Sequence, residues 1–576
     1  RFTTYSMNSN VYTWKLPALA VFTSLIFFAG CAGLGSMDKE KEALGLEASP
    51  EPLILRGNMV ELKIEGKFPP KYFAKKVSVE ATPVLSWDGG SASFDTQGFQ
   101  GEEAAGNYKV IPFENGKAFS YEASIPFDPA MEDAGELSVR ISGTKGSKTV
   151  DFDPIVIGAG VITTPLMVQS DDRFILAKDN FKRVLSFDEN ATVNYMKSSS
   201  TVRSSELRDE DWKALRALIA LANDADSVSL TGAAIEAYAS PEGEITLNED
   251  LASDRASSAA AALRREMKRK KMTADEAFFS LVPKGEDWNG FKDLMKGSTI
   301  EDKNLILRVL EMYSDKNKRE EEIRNIAKTY KEIEKDILPQ LRRSQMLVSY
   351  DVEGYTDEEL MDLCMSNPDV LTVEELLFSA TLFEDMNDKL TIYQSTARVH
   401  AGDFRGHNNA GWCLAQMGRM NQAWELFNAA LELERSKIVL NNVAAITRKD
   451  GNIDDATALL NEASGAGPEV GYNKGIILIQ KGDYPSAISN MGRESTMNVA
   501  LAKLLNGDAS AAKKTLENAS DESAAASYLM AIACARLEDA SGAKKNLSDA
   551  LSKDASLRAK AERDLEFRDM RSAMGM

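Results

Sequence analysis

The chain has 576 residues, of which 43% are hydrophobic and 27% charged, and its formal net charge is -20. This length exceeds what a single hydrophobic core serves, so roughly three or four domains are expected. The acidic balance argues against a general role on nucleic acid or anionic lipid. Only two histidines, His400 and His407, are present, which argues against histidine-based metal sites and Ser-His-Asp catalysis.

The N-terminal stretch, residues 1–30, is predicted to be a secretory signal. A lysine precedes an apolar run, residues 16–29, which is too short and badly flanked for a membrane-spanning helix. The run ends in "FFAGC", whose small residues before Cys31 resemble the lipobox of bacterial lipoproteins, with phenylalanine where that family prefers leucine. The resemblance implies removal of the signal and acylation of Cys31. The alternative is an uncut signal with a chance cysteine.

Residues 31–50 are small, polar and partly charged, and they are predicted to form the lipidated tether. Three acyl chains on Cys31 would anchor the protein stably. In Bacteroidota, which this signal resembles, surface-exported lipoproteins carry acidic residues directly after the cysteine. Here the first acidic residue is Asp38. The location implied is therefore the outer membrane, with the protein facing the periplasm.

Residues 51–170 are predicted to form a β-sandwich. Segments such as "MVELKIEGKF" and "ELSVRISG" alternate apolar and polar residues, and turn clusters such as "DGGS" separate them. No motif in this region indicates catalysis, so an interaction or spacer domain is the prediction. The rival hypothesis is an envelope hydrolase with a carboxylate pair hidden in this domain.

Residues 172–350 change to an α/β pattern. An opening strand precedes the amphipathic helix "DEDWKALRALIALAND", the strand "SVSLTGAAIEAYA" follows, and a further helix comes next. A long helical stretch then runs to Ile337, and "SQMLVSYDV" closes the region as a strand. This order predicts a two-layer α/β sandwich.

Residues 358–576 are predicted to form an all-α repeat solenoid. Alanine recurs at Ala423, Ala456, Ala487, Ala512 and Ala543, and a turn residue precedes each by five positions: Gly418, Gly451, Gly482, Gly507 and Glu538. Small residues let paired helices approach closely, and glycine ends a helix in the left-handed conformation. The pattern resembles the tetratricopeptide repeat. The predicted packing positions of the best unit are Gly411, Gly418, Ala423, Phe427 and Ala430.

The stretch "IEAYASPEGEITLNEDLASDRA", residues 235–256, resembles the motif of OmpA-like peptidoglycan-binding domains. The positions that agree in type and spacing are Tyr238, Gly243, Asn248, Leu251, Arg255 and Ala256. Ala237 and Ala252 replace a glycine and a serine of the family, and "YASPEG" is similar to a Bacteroidota variant. The resemblance implies that residues 172–350 form an OmpA-like domain with an enlarged helical segment.

In that family an aspartate, and an arginine fifteen residues later, hold the diaminopimelate of the peptidoglycan stem peptide. The ligand is zwitterionic, so its carboxylate suits a guanidinium and its ammonium suits a carboxylate. Here Arg255 keeps the guanidinium, whereas Ser240 takes the aspartate position. Either the site is lost, or Glu242 supplies the carboxylate; alternatively Arg255 is structural and pairs with Glu242 or Asp254. The candidate peptidoglycan-binding residues are Ser240, Glu242, Gly243, Asn248 and Arg255.

Other chemistry-bearing residues are given structural interpretations. The basic run 264–272 is expected to be a solvated helix end that complements the helix dipole. His400 and His407 are expected in loops or packing. The remaining cysteines are predicted to be small buried hydrophobes rather than a disulfide pair with one left over: Cys364, Cys413 and Cys534.

The sequence thus predicts a non-enzymatic outer-membrane lipoprotein that acts as an envelope scaffold without cofactor or metal. Its repeat groove would bind protein partners, and its OmpA-like domain would face the cell wall with peptidoglycan as a candidate ligand. The alternative within the same class is an accessory subunit of an outer-membrane assembly or secretion complex that does not bind peptidoglycan.

Overall fold

The computed structural model describes residues 33–575, and the predicted signal and Cys31 lie outside them. The chain divides into two compact units. The first joins the residues up to Ile175 to those from Arg435 onward, and the second is Leu176–Glu434. Sequence order and compact units therefore differ, because the strands of the N-terminal region share a unit with the last helical repeats. Among residues 33–575, no helix combines the length and apolar character that a membrane span requires.

The N-terminal region of the first unit is a sandwich of two β-sheets. In the described residues the smaller sheet has the order β1-β3-β2-β12 with β8 on β3, and the larger has β10-β9-β4-β6-β7 with β11 on β9 and β5 on β4. Alternate residues of both sheets fill one core, including Leu62, Val79 and Val139, as expected for a sandwich. The strands are Glu47–Ser49 (β1), Leu53–Arg56 (β2), Met59–Phe68 (β3), Ser78–Trp87 (β4), Gly90–Ser93 (β5), Gln97–Gly101 (β6), Lys109–Ile111 (β7), Lys117–Pro126 (β8), Ala134–Lys145 (β9), Lys148–Asp151 (β10), Ile155–Gly158 (β11) and Val161–Ile162 (β12).

The tether predicted over residues 31–50 is wrong in its described part. Leu34–Lys39 forms a helix (α1), and β1 pairs antiparallel with β3. Leu34, Met37 and Leu44 are 6%, 2% and 4% exposed and belong to the sandwich core. These three apolar side chains are the physical reason, because burying each one stabilises the fold by roughly 1.5–3 kcal/mol.

The second unit contains a four-stranded α/β layer. Its strands are Val184–Asn194 (β13), Val228–Ala239 (β14), Phe279–Glu286 (β15) and Arg343–Glu353 (β16), and its helices are Glu210–Asp224 (α2) and Ile245–Arg269 (α3). The order is β13-β16-β14-β15, with β15 parallel to β14 and β16 antiparallel to both neighbours. Both helices contribute to one core with the alternate residues Val193, Ile235 and Val348. Strand β15 was not predicted; it contains Pro283, which an edge strand tolerates.

An insertion of helices separates β15 from β16. The sequence predicted one long helical stretch here, whereas the structure has Trp288–Gly297 (α4), Lys303–Met312 (α5), Lys316–Asn325 (α6), Ala327–Asp336 (α7) and Leu338–Leu341 (α8). Aspartates interrupt the stretch, and the side chain of Asp315 caps α6 by accepting the Lys318 N–H at 2.8 Å. The insertion has its own core, which includes Trp288, Phe291 and Ile306.

The predicted all-α repeats are confirmed as helical hairpins. The second unit contains Asp357–Ser366 (α9), Val373–Ser379 (α10), Met386–Val399 (α11), Phe404–Gln416 (α12) and Met420–Leu433 (α13). The first unit contains Lys437–Lys449 (α14), Ile453–Glu462 (α15), Pro468–Gln480 (α16), Tyr484–Met491 (α17), Met497–Leu505 (α18), Ala509–Glu517 (α19), Ala524–Arg536 (α20), Ala540–Lys553 (α21), Leu557–Arg563 (α22) and Arg571–Met574 (α23).

Close packing within the hairpin of α12 and α13 uses the predicted small residues. Ala423, Phe427 and Ala430 are all 0% exposed. A Cβ added to Gly411 would lie 2.9 Å from the Phe427 ring, closer than real contacts allow. Helix α12 therefore approaches α13 more closely than any side chain at position 411 would permit.

In five successive hairpins, from α12 and α13 to α20 and α21, the turn after the first helix has left-handed backbone geometry. Gly418, Gly451, Gly482 and Gly507 have φ of +76°, +86°, +77° and +89°, and Glu538 occupies the same position with φ of +59°. Glycine adopts this conformation without a steric penalty, whereas glutamate does not. The last turn is therefore strained relative to its homologues within the chain.

We expect Glu538→Gly to stabilise the first unit by about 0.5–1 kcal/mol. Relief of roughly 1–2 kcal/mol of left-handed strain exceeds the larger entropy loss of glycine on folding. Urea unfolding of the full chain, followed by circular dichroism, measures the change. Gly507→Ala is the matched control, because open space surrounds Gly507 and only the backbone is affected; it should destabilise by about 1 kcal/mol. A lower midpoint for Glu538→Gly would contradict the assigned turn geometry.

Candidate functional site

The first candidate site is the turn between β14 and α3 in the second unit. The strand ends at Ala239 and the helix begins at Ile245, and Gly243 between them has φ of +94°. A pocket of about 150 Å³ opens here. Its lining brings together all five candidate residues with four others: Lys197, Ser198, Ser240, Glu242, Gly243, Asn248, Leu251, Arg255 and Arg324.

The carboxylate of Glu242 is already paired within the protein. Its Oε1 accepts hydrogen bonds from Ser240 Oγ at 2.7 Å and from Arg342 Nη2 at 2.7 Å, and its Oε2 lies 3.0 Å from Lys197 Nζ. Burial alone would raise the pKa of Glu242, but Ser240, Lys197 and Arg342 together hold that pKa below its ordinary value. Glu242 is thus an anion whose charge is paired with Lys197 and Arg342 of the same chain.

Arg255 is one of the largest fully buried side chains of the protein, at 1% exposure. Its Nη1 donates to the Tyr238 carbonyl at 2.8 Å and its Nε to the Ser199 carbonyl at 3.0 Å, with Nη2 3.4 Å from the Met196 carbonyl. The guanidinium also lies 5.1 Å from the centroid of the Tyr195 ring, within the range of a cation–π contact. These bonds tie the loop after β13 to the end of β14.

Asn248 and Gly243 hold the shape of the turn. Asn248 Nδ2 donates to the Glu242 carbonyl at 3.1 Å and to Glu286 Oε1 at 3.0 Å. The Gly243 N–H donates to Glu320 Oε1 at 2.6 Å. Glu320 comes from α6 of the insertion, and burial raises its pKa. The backbone N–H of Gly243 is therefore already bonded to a carboxylate of the same chain.

Three charged residues that bond Glu242 or the Gly243 amide were missed in the sequence: Lys197, Glu320 and Arg342. Lys197 follows β13, Glu320 lies in the insertion, and Arg342 directly precedes β16. They lie 45, 78 and 100 positions from Glu242 in the sequence. No spacing rule of a helix or strand connects positions so far apart, so only the folded chain brings them together.

The second candidate site is an extended segment held by the helices of the repeats. In the first unit the backbone of Gln169–Ile175 lies against α14, α16 and α18. One asparagine from each helix accepts the N–H and donates to the C=O of a single segment residue. The pairs are Asn498 with Gln169 at 2.8 and 3.0 Å, Asn473 with Arg173 at 2.8 and 2.8 Å, and Asn442 with Ile175 at 2.7 and 2.8 Å.

The second unit repeats this arrangement. Asn409 of α12 accepts the Ala177 N–H and donates to the Ala177 carbonyl, both at 2.9 Å. Beyond it, the Asn180 N–H donates to Glu374 at 2.6 Å, and the ring of Phe181 stacks on that of Phe378 with centroids 4.3 Å apart. All four asparagines of the two units are 0–1% exposed.

A signal for this site was present in the sequence. An asparagine stands fourteen residues before the repeat alanine in four successive repeats: Asn409, Asn442, Asn473 and Asn498. The fifth repeat has Leu529 there. Asparagine disfavours helix interiors, so its recurrence at one position of a helix indicates a shared binding role.

The other residues considered in the sequence have structural surroundings. The cysteines Cys364, Cys413 and Cys534 are free and buried. The ring of His400 lies 2.9 Å from the Leu371 carbonyl. In the basic run, Arg264 makes two 2.7 Å bonds to Glu276. Across residues 33–575 there is no group of three or more His, Cys, Asp or Glu side chains placed to hold a metal ion.

Comparison with known proteins gives matches only among solved structures. No protein-family model and no curated protein matches the sequence. The crystal structure of the APC/C hetero-tetramer Cut9-Hcn1 aligns at 14% identity over 36% of this chain and 45% of that chain, with a TM-score of 0.31. This chain therefore spans less than half of that relative's length.

Two further matches cover most of smaller proteins. A tetratricopeptide repeat protein from Parabacteroides merdae aligns at 16% identity over 37% of this chain and 91% of that one, with a TM-score of 0.27. The pilF protein of Pseudomonas aeruginosa aligns at 15% identity over 38% and 99%, also with a TM-score of 0.27. The description of this chain as tetratricopeptide-like rests on its own hairpins, with their glycine and alanine positions.

The Glu242 network makes a prediction about pH. The pKa of Glu242 is lowered from about 4.5, so its contribution to stability is complete above pH 4.5 and disappears as the pH falls through the folded-state pKa. Glu242→Gln should therefore weaken the turn by about 3–5 kcal/mol at neutral pH, because buried Arg342 loses its partner, and much less in acid. Hydrogen exchange of the peptide covering residues 238–256 in the full chain measures this.

The matched control is Glu249→Gln, a change at an exposed position of α3. It should leave protection of that peptide unchanged at every pH. Equal loss of protection in the two variants at neutral pH would show that the pairing with Arg342 and Lys197 does not stabilise the turn.

Proposed function

We propose that the protein is a non-enzymatic scaffold of the cell envelope whose helical repeats hold extended protein segments. The observation that supports this is the bidentate pairing of Asn442, Asn473 and Asn498 with the backbone of Gln169–Ile175. A side-chain amide that accepts an N–H and donates to a C=O recognises the main chain itself, as a neighbouring β-strand does. Such a surface is built to bind protein.

The scaffold is anchored, in this proposal, through lipid on Cys31 in the outer membrane and faces the periplasm. The sequence "FFAGC" supports the anchor. Helix α1 begins at Leu34, so only Ala32 and Gly33 lie between it and Cys31 in the sequence. The three Cα–Cα steps from Cys31 to Leu34 span at most about 11 Å. The β-sandwich would therefore lie directly at the membrane surface.

Replacement of the acylated residue tests the anchor. We expect Cys31→Ser to leave the precursor uncut and to remove the protein from the detergent-extracted outer-membrane fraction, because no sulfur remains to carry the acyl chains. Cell fractionation and labelled palmitate incorporation measure both effects. The matched control is Cys364→Ser, whose cysteine is buried in α9; it should keep label and location. Labelled palmitate in the Cys31→Ser protein would overturn the anchor.

The α/β region is proposed to be OmpA-like and to face the cell wall without binding peptidoglycan tightly. Two contacts support this weak-binding form. The guanidinium of Arg255 donates to backbone carbonyls, and the carboxylate of Glu242 is paired with Arg342 and Lys197. Both arms of the family's zwitterion clasp are thus engaged within the protein. The same contacts favour the second candidate function, an accessory subunit of an outer-membrane assembly or secretion complex.

Sedimentation with purified peptidoglycan sacculi tests this part of the proposal. We expect the full chain carrying Cys31→Ser to stay in the supernatant, and Glu242→Ala to change nothing. Loss of one charge-assisted bond of the clasp costs roughly 1.5–3 kcal/mol, or about ten- to a hundredfold in affinity. Ser240→Asp restores the family's acidic residue and should raise binding only if Arg255 becomes accessible.

Tight sedimentation of the wild-type chain that is lost in Glu242→Ala and in Arg255→Lys, with both variants folded by circular dichroism, would establish Glu242 as the substitute aspartate. It would replace the weak-binding proposal by a cell-wall-binding one.

A further inference from the structure

The segment Gln169–Ile175 is held by its side chains as well as by its backbone. Asp172 is the clearest case, because its carboxylate has 0% and its partner Arg448 3% side-chain exposure. Arg448 Nε and Nη2 bond its two oxygens at 2.6 and 2.5 Å, and Lys449 Nζ lies 3.8 Å away. This is a buried, two-pronged pocket for one carboxylate.

Tyr472 of α16 contacts the residues on either side of Asp172, which are Asp171 and Arg173. The guanidinium of Arg173 lies over its ring at 3.8 Å from the centroid, and Glu494 pairs with the same guanidinium. The Tyr472 hydroxyl donates to Asp171 Oδ2 at 2.5 Å. Asn498 Nδ2 donates to the other oxygen of Asp171 at 2.7 Å. The helices therefore present a cation pocket, an aromatic face with an acid, and two neutral donors in a fixed order.

The segment can leave this surface without unfolding a helix or a strand. Residues 168–182 belong to no regular element, since the preceding strand is β12 and the next is β13. The N–H and C=O groups of Gln169, Arg173 and Ile175 bond to asparagine side chains. A second peptide with the same order of side chains would satisfy the same donors and acceptors. Exchange of one peptide for another would leave Arg448 paired in the final state.

We propose that the groove face of α14, α16 and α18 is a sequence-selective receptor, and that Gln169–Ile175 is its built-in occupant. The ligand is an extended segment of a partner protein with two adjacent acidic residues, then a basic residue, then an aromatic and an aliphatic residue. Charge complementarity at Arg448 and Glu494 argues for this chemistry. The inference rests on the proposed scaffold function and specifies its partner.

Because the groove is already occupied by Gln169–Ile175, only a partner that displaces this segment can bind. A tethered segment competes at an effective concentration of about millimolar. A free peptide with ordinary affinity is therefore excluded from the intact groove, whereas a partner that binds additional surface can displace the segment. Weakening the segment while leaving the groove intact should open the receptor.

The test uses a fluorescein-labelled peptide with the sequence of residues 168–175, "VQSDDRFI", and the full chain carrying Cys31→Ser. We expect the Arg173→Ala and Asp172→Ala variants to bind this peptide at least about tenfold more tightly than the protein without either substitution does. Fluorescence anisotropy measures the affinity. Arg173→Ala is the safer variant, because Arg173 is half-buried and Glu494 is partly exposed, so no buried charge loses its partner. A peptide with the same residues in scrambled order is the control ligand.

A second substitution in the groove separates specific from general binding. Adding Asn473→Leu to Arg173→Ala should abolish binding, because the pair of bonds to the position of Arg173 is removed. No binding to either single variant, with circular dichroism showing both folded, overturns the proposal. Binding that survives Asn473→Leu, or equal binding of the scrambled peptide, overturns it as well.

A second copy of the chain is the other possible occupant. If Arg173→Ala elutes as a dimer in size-exclusion chromatography and the labelled peptide converts it to a monomer, the groove accepts its own segment from another copy, and the partner-protein proposal fails. The peptide assay reports on the groove alone, whereas fractionation of Cys31→Ser tests the anchored scaffold. Either proposal can therefore fail while the other stands.

Discussion

Buried backbone groups outside helices and strands need hydrogen-bond partners, and this requirement determines the role of the polar residues in both candidate sites. An unpaired buried N–H or C=O costs about as much as a lost hydrogen bond. Arg255 supplies partners for the carbonyls of Tyr238 and Ser199, and Asn248 supplies one for Glu242. The asparagines of the repeats do the same for the extended segment. Residues that look like ligand contacts in the sequence thus hold the chain's own backbone.

The two sites differ in how readily an outside molecule can replace the internal partner. Arg255 is 1% exposed, and its guanidinium donates to carbonyls of the loop after β13 and of the end of β14, so a ligand carboxylate would have to break these bonds. The segment Gln169–Ile175 has no regular structure of its own. A competing peptide offers the same main-chain groups to the same asparagines. Exchange is therefore physically accessible at the repeats and obstructed at the turn between β14 and α3.

The N-terminal sandwich is more than a spacer, because it packs against the helical repeats of the first unit. Arg56 at the end of β2 donates to the Gly482 carbonyl at 3.1 Å, and Arg568 bonds Glu51 at 2.8 Å. Both contacts join the sandwich to the helical repeats. The sandwich and the helices that hold Gln169–Ile175 therefore belong to one compact unit.

The sequence by itself determined the elements whose cause is local. Alternating apolar residues predicted the sandwich strands, and the recurrence from Ala423 to Ala543 predicted the hairpins, because side-chain periodicity follows directly from strand and helix geometry. The left-handed turns at Gly418 and its counterparts also follow from residue type. The asparagines fourteen residues before four of the five alanines also form a local pattern, because they occupy one position of the first helix of each hairpin.

Only the tertiary structure decided which charges meet and what they bind. Glu242 lies 100 residues from Arg342 in the sequence, and Asp172 lies 276 residues from Arg448. No local pattern encodes such pairs, because they arise when loops close distant parts of the chain. Burial also placed Leu34 and Met37 in a core rather than a tether, and folding brought the carbonyls of Tyr238 and Ser199 to Arg255. The sequence gives the chemistry of each side chain, but its partner depends on which charged groups and unpaired backbone groups folding places beside it.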